Sequence, residues 1–373
     1  MKKVTIFTMQ LKTPGGIERF VSTLSSMLSK NYSVEIVVNY GKPSDHLAFP
    51  LDKDIKLTFL SPLKPTEISL KKIITSLKWH QIPKELIRRF KINLERNRVF
   101  NVFLKTLDTD YIITDRALYN SLVGKYYYKN AIKIATDHNF HQNSPKYINE
   151  LINSLKGFNY LVVATKELRD FYASKTSVKC IYIPNPLSNI PPKQSPLKTK
   201  NIISVGRLVP EKDFSILIQT MQLIHQQDPE IHLTIIGDGT ERQALQSQIN
   251  SLNLKTAITL TGWLHQDKIA KYYYNSSLFV MTSKTEAFGL VLTEAMSYGL
   301  PCLALARASG ACAQITKDTG FLLDTSNPTI IADKIIELLN HPNILKTIQK
   351  QLESYIGQYS KSTILQSWLK ILK

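Results

Sequence analysis

The sequence is short of cysteine and short of acid. Its 373 residues hold three cysteines, Cys180, Cys302 and Cys312. The number is odd and each lies in or beside an apolar run. That argues against a disulfide framework or a zinc site and fits a reducing compartment. Asp and Glu together number 29 against 47 Lys and Arg, for a formal net charge of +18. An imbalance of this sign predicts an anionic partner: nucleic acid, an acidic membrane surface or a phosphorylated substrate. No run approaches the roughly 18 apolar residues of a membrane-spanning helix. The amino-terminal apolar stretch is broken by Gln10 and Lys12, so it reads as a first strand and not as a secretory leader. The expected setting is the cytoplasm, with contact to a membrane from that side.

What is present is an ordinary globular composition, 43% hydrophobic and 20% charged. The length suits two domains of about 150–200 residues. Short β-rich runs at Val4–Thr8, Val34–Val38, Ile55–Leu60, Tyr111–Thr114, Ile132–Thr136, Tyr160–Ala164 and Ile181–Ile183 alternate with helical patterns. In the first helix Ile17, Phe20, Val21, Leu24 and Leu28 share one face. Ser188–Lys200 is rich in Pro, Ser and Lys without apolar periodicity and reads as a linker. The alternation then restarts with Asn201–Val205, His232–Ile236, Ala257–Thr261, Leu278–Thr282 and Pro301–Leu305. Alternation of this kind predicts parallel sheets with helices on both faces. The expectation is two Rossmann-like, doubly wound α/β domains, 1–190 and 191–359. A ligand cleft would lie at the carboxyl ends of their strands. A last helix, about 360–373, carries Ile364, Leu365, Trp368 and Leu369 on one face and would pack back on a domain, the first being the candidate.

The string Thr285–Glu294 concentrates the chemistry. Glu286 and Glu294 stand eight apart around Phe288, Gly289 and Leu290, after a strand and into an apolar helical run. Glu286 is expected in the strand-to-helix turn and Glu294 about two turns into the helix. Backbone N–H groups at Phe288–Leu290 would then offer an anion site. Taken singly, an acid in a helical first turn is ordinary. Arg207 and Lys212 follow another strand, and two cations five apart on a loop can converge on a diphosphate. Gly15 and Gly16 close the first strand-to-helix turn, where glycine lets the backbone approach a ligand. They do not form a dinucleotide-binding fingerprint. Gly237-Asp238-Gly239-Thr240 reads as a turn with Thr240 as helix cap. Trp263 and Leu264 follow a strand and are candidates to line a base pocket.

TEAFGLVLTEAMSYGLPCLA closely resembles the E-x7-E region of the GT-B retaining glycosyltransferases of family 4. Pro14–Arg19 resembles that family's GG-x-E-R turn, and Val205–Lys212 its GRL…K motif. Ile236–Gly239 and Thr261–Trp263 also match in order. The resemblance spans nearly the whole chain. It implies a GT-B fold, a UDP- or GDP-sugar donor, retention of anomeric configuration and no obligatory metal or other cofactor. It implies that Arg207 and Lys212 hold the diphosphate and that Glu294 binds the ribose. Glu286 with Phe288, Gly289 and Leu290 would bind the sugar. Gly15, Gly16, Gly237 and Leu264 would border the donor. His138, just after a strand, resembles a histidine that hydrogen-bonds the donor sugar; His141 is its neighbour. Two departures stand out. Asp213 occupies a position where relatives often have Gly, adding a negative charge near the phosphate site. Gln314 stands where relatives carry a Glu, a change that could shift which sugar is accepted.

The basic charge is concentrated. Between Lys71 and Arg98 lie nine Lys/Arg and two acids, Glu85 and Glu95. Leu70, Ile73, Ile74 and Leu77, and then Ile87, Phe90 and Leu94, have helical spacing, with Pro83 between the two sets. A basic amphipathic pair with Trp79 reads as a membrane-surface element carrying Lys71, Lys72, Lys78, Arg88, Arg89 and Lys91. No nucleic-acid motif accompanies it, so nucleic acid is not the expected partner. The expected activity is transfer of a hexose or N-acetylhexosamine to a glycan or lipid-linked envelope acceptor at the inner membrane face. The alternatives are a GT-B-shaped epimerase or phosphorylase, and a non-catalytic membrane or nucleic-acid binder.

Overall fold

The computed structural model describes residues 1–61, 82–139 and 144–373. Lys71, Lys72, Lys78, Trp79 and His141 lie outside them. The chain divides into two compact units. The first comprises Met1–Ala164, Leu168–Pro186 and Leu365–Lys373, the second Thr165–Glu167 and Leu187–Ile364.

The first unit is built on a seven-stranded sheet ordered β3-β2-β1-β4-β5-β6-β7. Its strands are β1 (Lys3–Thr8), β2 (Ser33–Tyr40), β3 (Lys56–Ser61), β4 (Tyr111–Thr114), β5 (Ile132–Asp137), β6 (Tyr160–Val163) and β7 (Lys179–Tyr182). All of its pairings are parallel. Central strands of a parallel sheet are covered on both faces and therefore read as unbroken apolar runs. Val4 to Phe7 and Tyr111 to Ile113 are accordingly buried. Phe7, Phe100 and Tyr119 form an aromatic cluster on one face, Phe100 and Tyr119 being stacked with centroids 5.7 Å apart.

The second unit repeats the plan with six parallel strands ordered β10-β9-β8-β11-β12-β13. They are β8 (Asn201–Val205), β9 (His232–Ile236), β10 (Ile258–Leu260), β11 (Leu278–Met281), β12 (Cys302–Leu305) and β13 (Gly320–Leu323). In both units the strand order reverses direction beside the first strand, and loops at the carboxyl ends there are where open α/β sheets bind ligands. Sequence patterning did not single out β13. It is a four-residue edge strand, Gly320–Leu323, in which only Gly320 is buried.

The Lys361–Leu369 helix ends in residues that belong to the first unit. Trp368 is fully buried, with its ring 6.4 Å from that of Phe20. Nearby, the Tyr32 hydroxyl donates to the Leu372 carbonyl at 2.7 Å. Emptying a buried aromatic site costs about 3–5 kcal/mol. Trp368→Ala is therefore expected to destabilise the first unit by about that amount in urea denaturation. A change below about 1 kcal/mol would mean the tail is not part of that core.

Candidate functional site

In the second unit the loops that follow three adjacent strands, β8, β9 and β10, are fastened together. Leu208 N–H donates to Asp238 O at 2.9 Å, and Gly237 N–H to Gly262 O at 3.0 Å. The fit requires glycine: a Cβ on Gly237 would stand 1.8 Å from Gly206 O. This closeness fixes the backbone on both sides of Arg207, whose side chain is exposed. Leu208 O also accepts the Glu241 N–H at 2.9 Å. The helix beginning at Arg242 is capped at Glu241 without a side-chain bond. Thr240 is therefore not the cap; the expectation fails because a distant carbonyl takes the role. Trp263 is 51% exposed and meets His265 edge-on, and Leu264 is half-buried beside it.

Lys212 ends a single 3-10 turn, Pro210–Lys212, and Asp213 follows it in the left-handed region at φ 50° and ψ 46°. Glycine adopts that conformation without cost, and aspartate is among the few other residues that tolerate it. The Asp213 carboxylate is held by Arg307 at 2.8 Å and by Lys284 at 3.6 Å. Its negative charge is therefore met locally. Thr282 Oγ1 donates to the carbonyls of Lys212 and Asp213 at 3.2 and 3.0 Å, and Arg307 also donates to Thr282 O at 2.8 Å. Arg307 went unremarked in the sequence; its partner lies 94 positions away, and no local pattern reports such a pairing.

The turn so fixed brings Lys212 Nζ into an ion pair with Glu286 Oε2, both side chains being mostly buried. The two carboxylates of the E-x7-E string lie differently from one another. Glu286 sits in the loop after β11, as expected. Its carbonyl accepts the Gly310 N–H at 2.8 Å. Gly289 takes φ 81° and starts the Leu290–Ser297 helix. Glu294 is the fifth helical residue, a little over one turn in and not two. It accepts from the Tyr273 hydroxyl at 3.4 Å. The strand-to-helix turn thus leaves first-turn N–H groups after Phe288, the geometry that favours an anion or a polarised oxygen.

Gln314 is buried and donates to the Phe288 carbonyl. A carboxylate there would face that carbonyl, oxygen to oxygen. The substitution therefore acts on the shape of the Phe288–Gly289 loop.

In the first unit Gly15 is the N-cap of the Gly16–Leu28 helix, with extended φ of −150°, and no side chain caps it. His138 follows β5. Its ring lies 4.4 Å from that of Phe20, and Nε2 is 3.0 Å from Thr136 Oγ1. Burial, and secondarily Arg116, pushes its pKa down to about 3, so the imidazole is neutral at physiological pH. Arg88, Arg89 and Lys91 lie on the Ile82–Thr106 helix, far in sequence from the other candidates. Arg89 is paired with Glu85 at 2.9 Å.

No group of three or more His, Cys, Asp or Glu suited to a metal occurs among the described residues. The sequence does contain two Asp-x-Asp strings, 52–54 and 108–110. Asp108 and Asp110 bind Lys3 at the start of β1, through Nζ and N–H, each at 2.7 Å. They therefore lie at the amino edge of the sheet, away from the candidate loops. Asp52 accepts from Ser26 at 2.6 Å.

Residues 188–360 match the family model described as glycosyl transferases group 1. The chain is 26% identical to the amylovoran biosynthesis glycosyltransferase AmsD of Erwinia amylovora, with 100% of both chains aligned. It is 24% identical, again over 100% of both, to a 4-alpha-N-acetylgalactosaminyltransferase of Campylobacter jejuni. That enzyme's named acceptor is N-acetylgalactosamine-N,N'-diacetylbacillosaminyl-diphospho-undecaprenol. Among solved structures it is similar to S. aureus TarM in complex with UDP, alpha-GlcNAc-glycerol and fondaparinux, with a TM-score of 0.80 at 17% identity. That match covers 100% of this chain and 99% of TarM. The structural likeness shows the GT-B fold, two Rossmann-like parallel-sheet domains. The family-model match lies within the second unit, and the two curated relatives, aligned over the whole chain, are both glycosyltransferases by name.

Gln314→Glu is expected to lower stability by about 1–3 kcal/mol at neutral pH, because a buried carboxylate would oppose the Phe288 carbonyl. The loss should shrink on acidification, since a protonated carboxyl can donate in place of the amide. Thermal denaturation at two pH values checks this; an unchanged melting point at neutral pH would contradict it.

Proposed function

We propose that the protein is a retaining glycosyltransferase that moves a hexose or N-acetylhexosamine from a UDP- or GDP-sugar to an envelope glycan or glycolipid. The observation that carries this reading is the Lys212–Glu286 pair at the carboxyl ends of β8 and β11. It places a cation suited to a diphosphate against a carboxylate suited to sugar hydroxyls. The group 1 match over the same residues, and the UDP in the TarM complex, support a nucleotide-sugar donor.

In this reading Arg207 and Lys212 take the diphosphate. As the bond between the sugar C1 and the β-phosphate oxygen breaks, negative charge grows on that phosphate. Cations fixed there favour the transition state over the ground state. Glu286 and the Phe288, Gly289 and Leu290 backbone orient the sugar, and Glu294 takes the ribose. Gly237 and Leu264 border the nucleotide. In the first unit, neutral His138 and the Gly15-Gly16 turn are suited to an uncharged hydroxyl-bearing ligand. The acceptor oxygen bonds to C1 on the face the phosphate leaves, and its proton passes to the departing phosphate. No metal or other cofactor is assigned.

The acceptor would be lipid-linked or membrane-bound, at the cytoplasmic face. The diphospho-undecaprenol in the Campylobacter relative's name supports this. So does the Ile82–Thr106 helix, where Leu86, Ile87, Phe90 and Leu94 are at least half exposed beside Arg88, Arg89 and Lys91. Each basic residue near an anionic leaflet contributes about 1 kcal/mol. Among the described residues no helix is long and apolar enough to cross a membrane.

Lys212→Ala and Glu286→Ala are expected to abolish transfer from the true donor while circular dichroism shows the fold intact. Near-normal turnover in either variant would refute the site. Product formed without an acceptor, or only with free phosphate, would favour an epimerase or phosphorylase instead.

A further inference from the structure

Among the described residues eleven buried side-chain polar atoms lack a hydrogen-bond partner, and five of them gather at one place in the first unit. They are Asn39 Nδ2 and Oδ1, Asp115 Oδ1, Arg116 Nε and the Tyr119 hydroxyl. The other six are spread singly over six residues. The gathering follows from strand register. Val38 pairs with Thr8 across β2 and β1, and Phe7 with Thr114 across β1 and β4. Asn39, the penultimate residue of β2, and Asp115, directly after β4, therefore stand at the carboxyl ends of the strands that flank β1. Thr8 Oγ1 donates to Asp115 Oδ2 at 2.7 Å, and Arg116 Nε stands 3.7 Å from Asp115 Oδ1. Burial holds the Tyr119 hydroxyl well above the usual phenol range, and Asn39 beside it offsets part of that rise.

Buried polar groups are nearly always paired, and unpaired ones carry an uncompensated desolvation cost. A carboxylate, a carboxamide and a guanidinium, each with an atom that makes no hydrogen bond, match the hydroxyls of a sugar ring, which donate and accept together. An anion fits less well, because Asp115 and nearby Glu18 would both face it. The mutual repulsion of these two adds to the burial that pushes Asp115 up to about 7. We infer that Asn39, Asp115 and Arg116 bind a neutral, hydroxyl-bearing sugar ring of the acceptor, an inference that rests on the transfer reading above. Arg116 reaches solvent with 32% of its side chain, against 2% for Asp115. The ring enters past the guanidinium, which turns to donate to one hydroxyl while Asp115 Oδ1 accepts from its neighbour. Asn39 completes the recognition with one donor and one acceptor.

The test uses the full chain and a panel of octyl α- and β-glycosides of glucose, galactose, N-acetylglucosamine and N-acetylgalactosamine. Saturation-transfer NMR and calorimetry report binding without any turnover. At least one glycoside is expected to give ring-proton signals with the wild type. Asp115→Asn, Arg116→Ala and Asn39→Ala should each weaken that glycoside at least tenfold. Arg116 is partly exposed and Asp115→Asn is isosteric, so these two guard against misfolding of the Asn39 variant. No ring signal with the wild type, or binding by Asp115→Asn and Arg116→Ala within twofold of it, overturns the inference. Hydrolysis of UDP- and GDP-sugars by the wild type is measured in parallel. Its absence alongside variant-sensitive glycoside binding would sink the transfer reading and leave the sugar site standing.

Discussion

The candidate site depends on one contact made across 74 residues, the ion pair between Lys212 and Glu286. Each partner is held by its own loop, and the loops are held by each other. Asp213 takes a left-handed turn directly after Lys212. Arg307 and Lys284 neutralise it from the loops after β12 and β11. Thr282 fixes the two carbonyls of that turn. Two side chains only 17% and 18% exposed give up much hydration, so their pairing offsets a cost that neither could bear alone. A diphosphate would compete for the same lysine with greater charge, freeing Glu286 for neutral hydroxyls.

Other contacts in the second unit support the loops that carry that pair. Close packing of Gly237 on Gly206 ties the β8 loop to the β9 loop, which limits where Arg207 can be. Gln314 holds the Phe288 carbonyl and so the start of the Leu290–Ser297 helix. The first unit offers a contrasting environment at the same edge of its sheet. His138 is neutral there, and Asp115 is held above the usual carboxylate range.

Much of the fold was legible because parallel strands buried on both faces leave unbroken apolar runs, as in Val4–Thr8 and Leu278–Met281. Edge strand β13 and the helix Ser309–Gln314 were not legible, since short elements with mixed burial leave no period. At the site, the spacing of Glu286, Gly289 and Glu294 showed a loop running into a helix. It could not show that Lys212 pairs with Glu286 or that Arg307 answers Asp213. Those pairings are tertiary. Thr240 looked like a cap because its type and place were right, yet Leu208 O supplied the partner. Asn39 and Asp115 carried no local signal either; they become notable only when register puts them on either side of β1.

The most direct test of the central claim is calorimetric titration of UDP into the wild type, Lys212→Ala and Glu286→Gln. If Lys212 exchanges Glu286 for the diphosphate, Lys212→Ala binds UDP at least tenfold more weakly. Glu286→Gln, which removes the competing carboxylate, then binds as tightly as wild type or more tightly. If Glu286→Gln instead loses as much affinity as Lys212→Ala, the pair is a fixed structural tie and the exchange does not occur.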